Sequence, residues 1–341
     1  MKSAKSIIRN ILLFIILIVV TFYIIFRNYN IKETFDMILN ANIFYIILAV
    51  FCMFFYFAAE ALNNKWILES LGSKINFLQA LKYPLIGFFF SGITPASGGG
   101  QPMQAYYMSR DGIPSSYATL SLIVQLISFH AITLVFGVFG FIFNYNLLSS
   151  GMIILFIVGT IVKSIVLALM YIGFRNKYAG KKIATFIFNI LKKFKVKNLD
   201  KLEKTVDETI EDYNNGAWYI RKHIKIFFKS LSLMFLQVVV YFSLSYFIYR
   251  SFGLNYYNWM EMLSLQALLY LSVASIPLPG SVGVSEGAFL SIYEYIYGAE
   301  ILASAMVISR GISFYLFMVI GSIVVLVTTI FNMNNKKKNK Q

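Results

Sequence analysis

Long apolar runs decide what this chain can become. A helix needs roughly 20 consecutive apolar residues to cross a bilayer, and runs of that kind occupy 7–26, 43–64, 114–143, 151–174, 224–249 and 300–331. Of the 341 residues 58% are hydrophobic and 13% are charged, with a mean hydropathy of +0.70. A soluble core cannot hide that much apolar surface. A membrane β-barrel would need short segments of alternating polarity, and the runs do not alternate. The class expected is an all-α polytopic membrane protein.

Two shorter apolar pieces, 77–91 and 259–276, each lead into a stretch that breaks helices. The first is "SGITPASGGGQPMQAYYMSRDG", Ser91–Gly112, and the second is "PLPGSVGVSEG", Pro277–Gly287, followed by an apolar piece at 288–297. Loop charge decides how such pieces thread, because Lys and Arg gather on the cytoplasmic side. Lys2, Lys5 and Arg9 precede the apolar stretch Ile11–Phe26, which has no small-residue cleavage site after it and reads as an uncleaved span. Residues 175–222 carry twelve Lys and Arg, and the chain closes on "NNKKKNKQ". All these basic segments fall on the inner side only if 77–110 dips in and returns to the face it left. By the same count 259–297 enters and leaves from the outer face, either as a hairpin or as two short spans. The formal charge of +15 is therefore explained by topology rather than by nucleic acid.

Irregular backbone at membrane depth cannot face lipid, since each unsatisfied N–H or C=O costs several kcal/mol. It must be packed in protein or line a wet cavity. Gly98, Gly99 and Gly100 are expected to supply positive φ and close backbone approach, and Pro95, Pro102, Pro277 and Pro279 to stop helices. Laid over each other at an offset of 182, the two breaks match Pro95 with Pro277, Gly98 with Gly280, Gln104 with Glu286 and Ala105 with Gly287. Three spans between them would invert the second relative to the first, the arrangement that marks substrate sites in many transporters. The organisation expected is two inverted halves with about six full spans and two re-entrant hairpins. The first half is 1–174, a basic cytoplasmic linker 175–222, the second half 223–331, and a basic tail 332–341, with both termini cytoplasmic in the cell membrane.

"TPASGGGQPMQAYYMSRDG", "PLPGSVGVSEGAF" and "SRGISFY" together resemble the flippase-like family that includes the membrane region of lysylphosphatidylglycerol synthase. The resemblance covers roughly 7–331. The pattern P-x-P-G-x-x-G-x-x-E-G is its most specific part, while "GGQP" stands where other members carry a more charged sequence. The resemblance implies a membrane region that moves or holds phospholipid-like or polyprenyl-linked lipids. In bifunctional members a soluble domain transfers lysine from tRNA. This chain ends at Gln341, just after its last span, so that activity is not expected of it.

Charges at bilayer depth are costly, and each is a functional suspect. Arg310, ten residues into the last run, could grip a lipid phosphate in its fork or form a structural pair. Glu286 could pair with Arg310, bind a cation, carry a coupling proton, or serve the helix dipole. Lys82 either attracts an anionic headgroup or snorkels to the surface. Lys163 needs a partner or water, and Glu60 is a candidate partner for either lysine. Gln104, Gly280 and Gly283 complete the expected substrate-binding set. Arg110 and Asp111 mark the exit of the first hairpin, His130 is expected to be a packed, hydrogen-bonded residue rather than a ligand, and Gln125 and Ser128 suit interhelical hydrogen bonds. Most of the 23 Tyr and 33 Phe are expected to face lipid or the interface, and their abundance is not read as an aromatic cage.

Within the linker, "KKIATFIFNILKKFK" places Ile183, Phe186, Ile187, Ile190, Leu191 and Phe194 on one face and lysines on the other, suiting an anionic lipid surface. A second stripe runs from Leu199 to Tyr213. No metal or nucleotide signature is present, so no cofactor is expected. His130 and His223 are far apart, and Cys52 lies in an apolar run, which argues against nucleophilic catalysis. Three functions remain open: a flippase for anionic phospholipid or lipid-linked intermediates, a non-catalytic partner of a separate lipid-modifying enzyme, and a membrane enzyme acting on headgroups. Membrane phospholipid is the expected partner, and the oligomeric state is left open.

Overall fold

The structure is a computed structural model that describes residues 2–27, 29–176, 215, 217–274 and 276–338. Its helices follow the apolar runs. α1 (Lys2–Phe26) turns by 95° into α2 (Ile31–Asn40). Then come α3 (Ile43–Ser70), α4 (Phe77–Ile93), α5 (Gly100–Arg110), α6 (Ser115–Asn144) and α7 (Ser150–Arg175). The expected amphipathic helix at 181–195 and the Leu199–Tyr213 stripe lie outside the described residues. The chain continues through α8 (Ile224–Ser251), α9 (Trp259–Val273), α10 (Val284–Arg310) and α11 (Leu316–Lys338). Among the described residues five helices are long and apolar enough to cross a membrane, and six if the bent α1–α2 pair is one span. Leu, Ile and Val side chains cover the outer faces of α1, α7 and α11, where a bilayer would meet them.

α2 was not expected from periodicity, yet its start is written in the sequence. Asn30 accepts from the backbone N–H groups of Lys32 and Glu33, and its own side-chain amide donates to Glu33 at 2.9 Å. That is the Asn-x-x-Glu pattern of a helix start. The helix docks on α10, where Ser304 Oγ donates to the Thr34 carbonyl at 3.1 Å.

Polar contacts fix how the helices run past one another. Asn64, late in α3, accepts from Ser121 and Gln125, early in α6. The exit of α3 thus lies beside the entry of α6, and the chain between must return to the face it left. It does so: Asp111, just past α5, pairs with Lys82 near the start of α4 at 2.5 Å and accepts from Tyr83 at 2.6 Å. The second hairpin is tied in the same way. Trp259 Nε1 donates to Ser243 at 2.7 Å, so α9 starts beside the end of α8. On the return, Tyr297 lies 5.8 Å from Tyr249 and 6.2 Å from Phe252 between ring centres. Gly298 (φ 68°, ψ 164°) then breaks α10 before the last span begins.

α3 and α8 are antiparallel, since Asn63 reaches the Ser230 carbonyl and the Asn42 N–H reaches the Ser251 carbonyl. The first hairpin therefore opens at the α3 exit and the second at the α3 entry. They come in from opposite ends, and their tips touch. Each tip is a 3₁₀ turn, Pro95–Ser97 and Pro279–Ser281.

The tips correct three expectations. The two 3₁₀ turns stand at an offset of 184, not 182, which pairs Pro95 with Pro279, Ser97 with Ser281 and Gly99 with Gly283 along the sequence. Gln104 and Glu286 are then not counterparts. Positive φ falls on Ser97 (55°) and Ser281 (51°), whereas Gly98 and Gly99 are right-handed at −68° and −87°. The first-hairpin glycines serve close approach instead. A Cβ on Gly100 would stand 2.0 Å from Ser91 Oγ and 2.8 Å from the Gly87 carbonyl oxygen. Pro102 lies in the first turn of α5, where its missing N–H costs nothing, so it starts a helix rather than stopping one. Ser128, expected to bridge helices, bonds back to Val124 within α6.

Gly100→Ala should lower the thermal unfolding midpoint in detergent, by about 1–3 kcal/mol of overpacking. Gly287→Ala is the control: nothing lies within 4 Å of its added Cβ, and alanine favours the helix by up to about 1 kcal/mol. A Gly100→Ala protein as stable as wild type would contradict the tight α4–α5 crossing.

Candidate functional site

Where the two tips meet, the bundle holds a partly open cavity of about 590 Å³. Ser97 and Gly98 line it from the first break, and Gly280 and Ser281 from the second. The remaining wall comes from α3 through α10, so most of the chain contributes. Polar residues on it include Gln101, Gln104, Gln125, Gln237 and Gln266. The aromatic part includes Tyr56, Phe129, Tyr241 and Tyr270.

The second break is held by a buried clamp. Glu286, fully buried, sits in the first turn of α10 and accepts the Gly283 N–H at 2.7 Å. Its other oxygen accepts from Arg310 Nε at 2.8 Å and from the Tyr315 hydroxyl at 3.0 Å. Arg310 also donates through Nη2 to the Gly280 carbonyl at 3.2 Å and stacks over Phe314 at 4.4 Å. Gly280 has φ 57°, and a Cβ there would come within 2.2 Å of the Phe314 ring. The clamp thus satisfies backbone groups that the break strands at membrane depth. The Arg310 side chain keeps 14% of its surface open, toward the cavity it lines. Glu286 is wholly engaged, which leaves it little freedom to exchange a proton or a cation.

Lys163 is different. It is only 5% exposed, lines the cavity from the middle of α7, and has no hydrogen-bond acceptor or ion pair among the described residues. Its ammonium lies 4.2 Å from the centre of the Tyr270 ring and 5.7 Å from that of Phe129. Two rings thus flank this cation. Glu60 lines the same cavity from α3, but its hydrogen bond comes from Gln104 Nε2 at 3.1 Å. It partners neither lysine. Lys82 lies outside the cavity, locked to Asp111 at the open end of the first hairpin. That pair also places Asp111 at the hairpin exit, as expected. His130 lines the cavity with its Nδ1 buried and unpartnered, and Gln125 makes the interhelical bond expected of it.

Of the expected set, Arg310, Gln104, Gly98 and Gly280 line this cavity, Glu286 and Gly283 lie in the clamp behind it, and Lys82 is left out. Gly99 and Gly100 work behind it: the Gly99 N–H bonds to Thr94 Oγ1 at 2.9 Å. Sequence reasoning missed Tyr56, Gln237, Tyr241, Gln266 and Tyr270. Gln237 and Tyr241, and likewise Gln266 and Tyr270, are four apart on apolar helices, a spacing that puts each pair on one face. Among the described residues no cluster of three His, Cys, Asp or Glu side chains could hold a metal ion.

The model of the lysylphosphatidylglycerol synthase TM region matches residues 9–321. The chain belongs to that family. The match takes in both hairpins and every described residue of the cavity wall. Among relatives, a UPF0104 membrane protein of Methanocaldococcus jannaschii is 25% identical over an alignment covering 99% of each chain. One from Methanothermobacter thermautotrophicus is 25% identical, covering 84% of this chain and 86% of its own. A third, from Archaeoglobus fulgidus, is 24% identical over 88% and 91%. Family members of this kind are thus similar to the chain over nearly their full length.

Arg310→Leu should strand the Glu286 carboxylate in the protein interior and destabilise the fold by about 3–5 kcal/mol. The double variant Glu286→Gln/Arg310→Met should recover much of that loss, because no charge is left unpaired. Thermal unfolding of the three proteins in detergent checks the ordering, and a double variant less stable than Arg310→Leu would contradict it.

Proposed function

We propose that this protein moves anionic phospholipid, or a lipid-linked intermediate of like charge, between the leaflets of the cell membrane. The observation that carries the reading is Lys163: a buried cation with no acceptor, in a cavity between two broken hairpins. A buried charge without a partner is expensive, and an anionic headgroup is the natural counter-ion for it. The open edge of Arg310 adds a donor that suits a phosphate oxygen. The hairpins enter from opposite ends, which fits inverted halves that rock around a central site. Acyl chains would remain in the bilayer while the headgroup crosses. Basic segments at both termini and at 175–222 place those regions on the cytoplasmic side in this reading.

The family's description as the membrane region of a synthase favours one other reading, in which the chain presents lipid to a separate lipid-modifying enzyme. Such a protein would copurify with that enzyme and would not by itself exchange lipid between leaflets.

Reconstituted liposomes carrying labelled anionic lipid test the proposal. Wild type should move label well above empty liposomes. Lys163→Met should slow that movement by at least about tenfold, equivalent to 1.4 kcal/mol of headgroup interaction. Its thermal unfolding midpoint should not fall, since an unpaired buried charge has been replaced by a thioether of similar length. Movement unaffected by Lys163→Met would remove the central support for this assignment.

A further inference from the structure

Glu60 and Gln104 form a pair whose chemistry is half complete. Gln104, 4% exposed, donates Nε2 to Glu60 Oε1 at 3.1 Å. Its amide oxygen, Oε1, is buried and has no partner among the described residues. A carboxylate offers only acceptors, so the ionised pair leaves that oxygen stranded. A protonated carboxyl also offers one O–H, and a carboxylic acid and a carboxamide can close a ring of two hydrogen bonds. The buried orphan oxygen is the acceptor that such a ring needs.

We propose that Glu60, held by Gln104, is a proton-binding site that switches the charge of the cavity. The surrounding groups make this consequential. Tyr56 on its own helix, His130 from α6, Lys163 from α7, Tyr241 from α8, Tyr270 from α9 and Arg310 from α10 all line the same wall. Arg310 is cancelled by Glu286. Among the described residues, Glu60 and Lys163 are then the two lining charges without an ion pair, and together they leave the cavity neutral. When Glu60 takes a proton from the aqueous phase, Lys163 stands alone and the cavity carries one net positive charge. An anion is then favoured. When Glu60 releases the proton, the anion loses its counter-charge and is favoured to leave. Because Gln104 belongs to α5, the same proton changes how the first hairpin is tied to α3. The coupling to lipid rests on the function proposed above, whereas the proton site does not.

Two measurements separate these parts. In pH-difference infrared spectra of the detergent-purified protein, acidification should raise the carbonyl band of a protonated carboxyl, and Glu60→Gln should lack it. The same band in both proteins would overturn the proton site. Gln104→Leu provides a second check that leaves Glu60 in place: it should shift the midpoint of the band, and an unchanged midpoint would count against the pair. In liposomes, movement of anionic lipid should rise toward acid pH, by up to about tenfold per pH unit for a single titrating group. In Glu60→Gln it should become independent of pH. An unaltered pH slope in that variant would overturn the coupling. Infrared titration of Glu60 without lipid movement in any protein would reject the flippase reading and leave the proton site standing.

Discussion

Backbone polar groups cannot be left bare at membrane depth, and the whole architecture answers that one constraint. Two hairpins stop short in the middle of the bundle, and each stop exposes N–H and C=O groups that lipid cannot satisfy. At the second tip the carboxylate of Glu286 takes the Gly283 N–H while Arg310 reaches the Gly280 carbonyl. At the first tip Thr94 takes the Gly99 N–H. The tips then shelter each other, and the remaining helices wall them off from lipid. A cavity is the residue of this solution: two turns meet without filling the space that two full helices would fill.

The same logic sorts the intramembrane charges. Glu286 and Arg310 are consumed in holding the break, which makes them structural first and leaves only an edge of Arg310 for a ligand. Lys163 and Glu60 do no comparable work for the fold. A cation between two aromatic rings and a carboxylate with one hydrogen bond are weakly anchored groups in an otherwise well-packed interior. Function is best sought in such groups, because tightly satisfied ones have little left to offer a substrate.

Much of this was legible in the sequence. Apolar run length gave the spans. The basic segment at 175–222 required the first hairpin to turn back and the basic tail required the same of the second, in keeping with the Lys82–Asp111 pair and the packing of Tyr297 on Tyr249. The register between the breaks was not legible. Counting identical letters favoured 182, whereas the turns align at 184 through serines that adopt left-handed backbone, a property that side-chain identity does not announce. Partners of buried charges were also hidden. Glu60 was matched to lysines because opposite charges attract, yet an amide on a neighbouring hairpin occupies it. Which of 56 Tyr and Phe residues face inward depends on helix rotation, so the rings beside Lys163 were invisible in composition.

Residues Gly311–Tyr315 form a π turn between α10 and α11. Arg310 and Tyr315 are five apart, and on a regular α-helix side chains at that spacing point well away from each other. The wider turn carries one residue more, which brings both onto the same carboxylate. Everything after it is consequently out of phase with everything before it. Loss of a single residue from this stretch would let the helix relax to regular winding, unhook Tyr315, and rotate the entire last span about its axis. The final helix is thus indexed to the clamp, and its lipid-facing surface is set by a miscount of one.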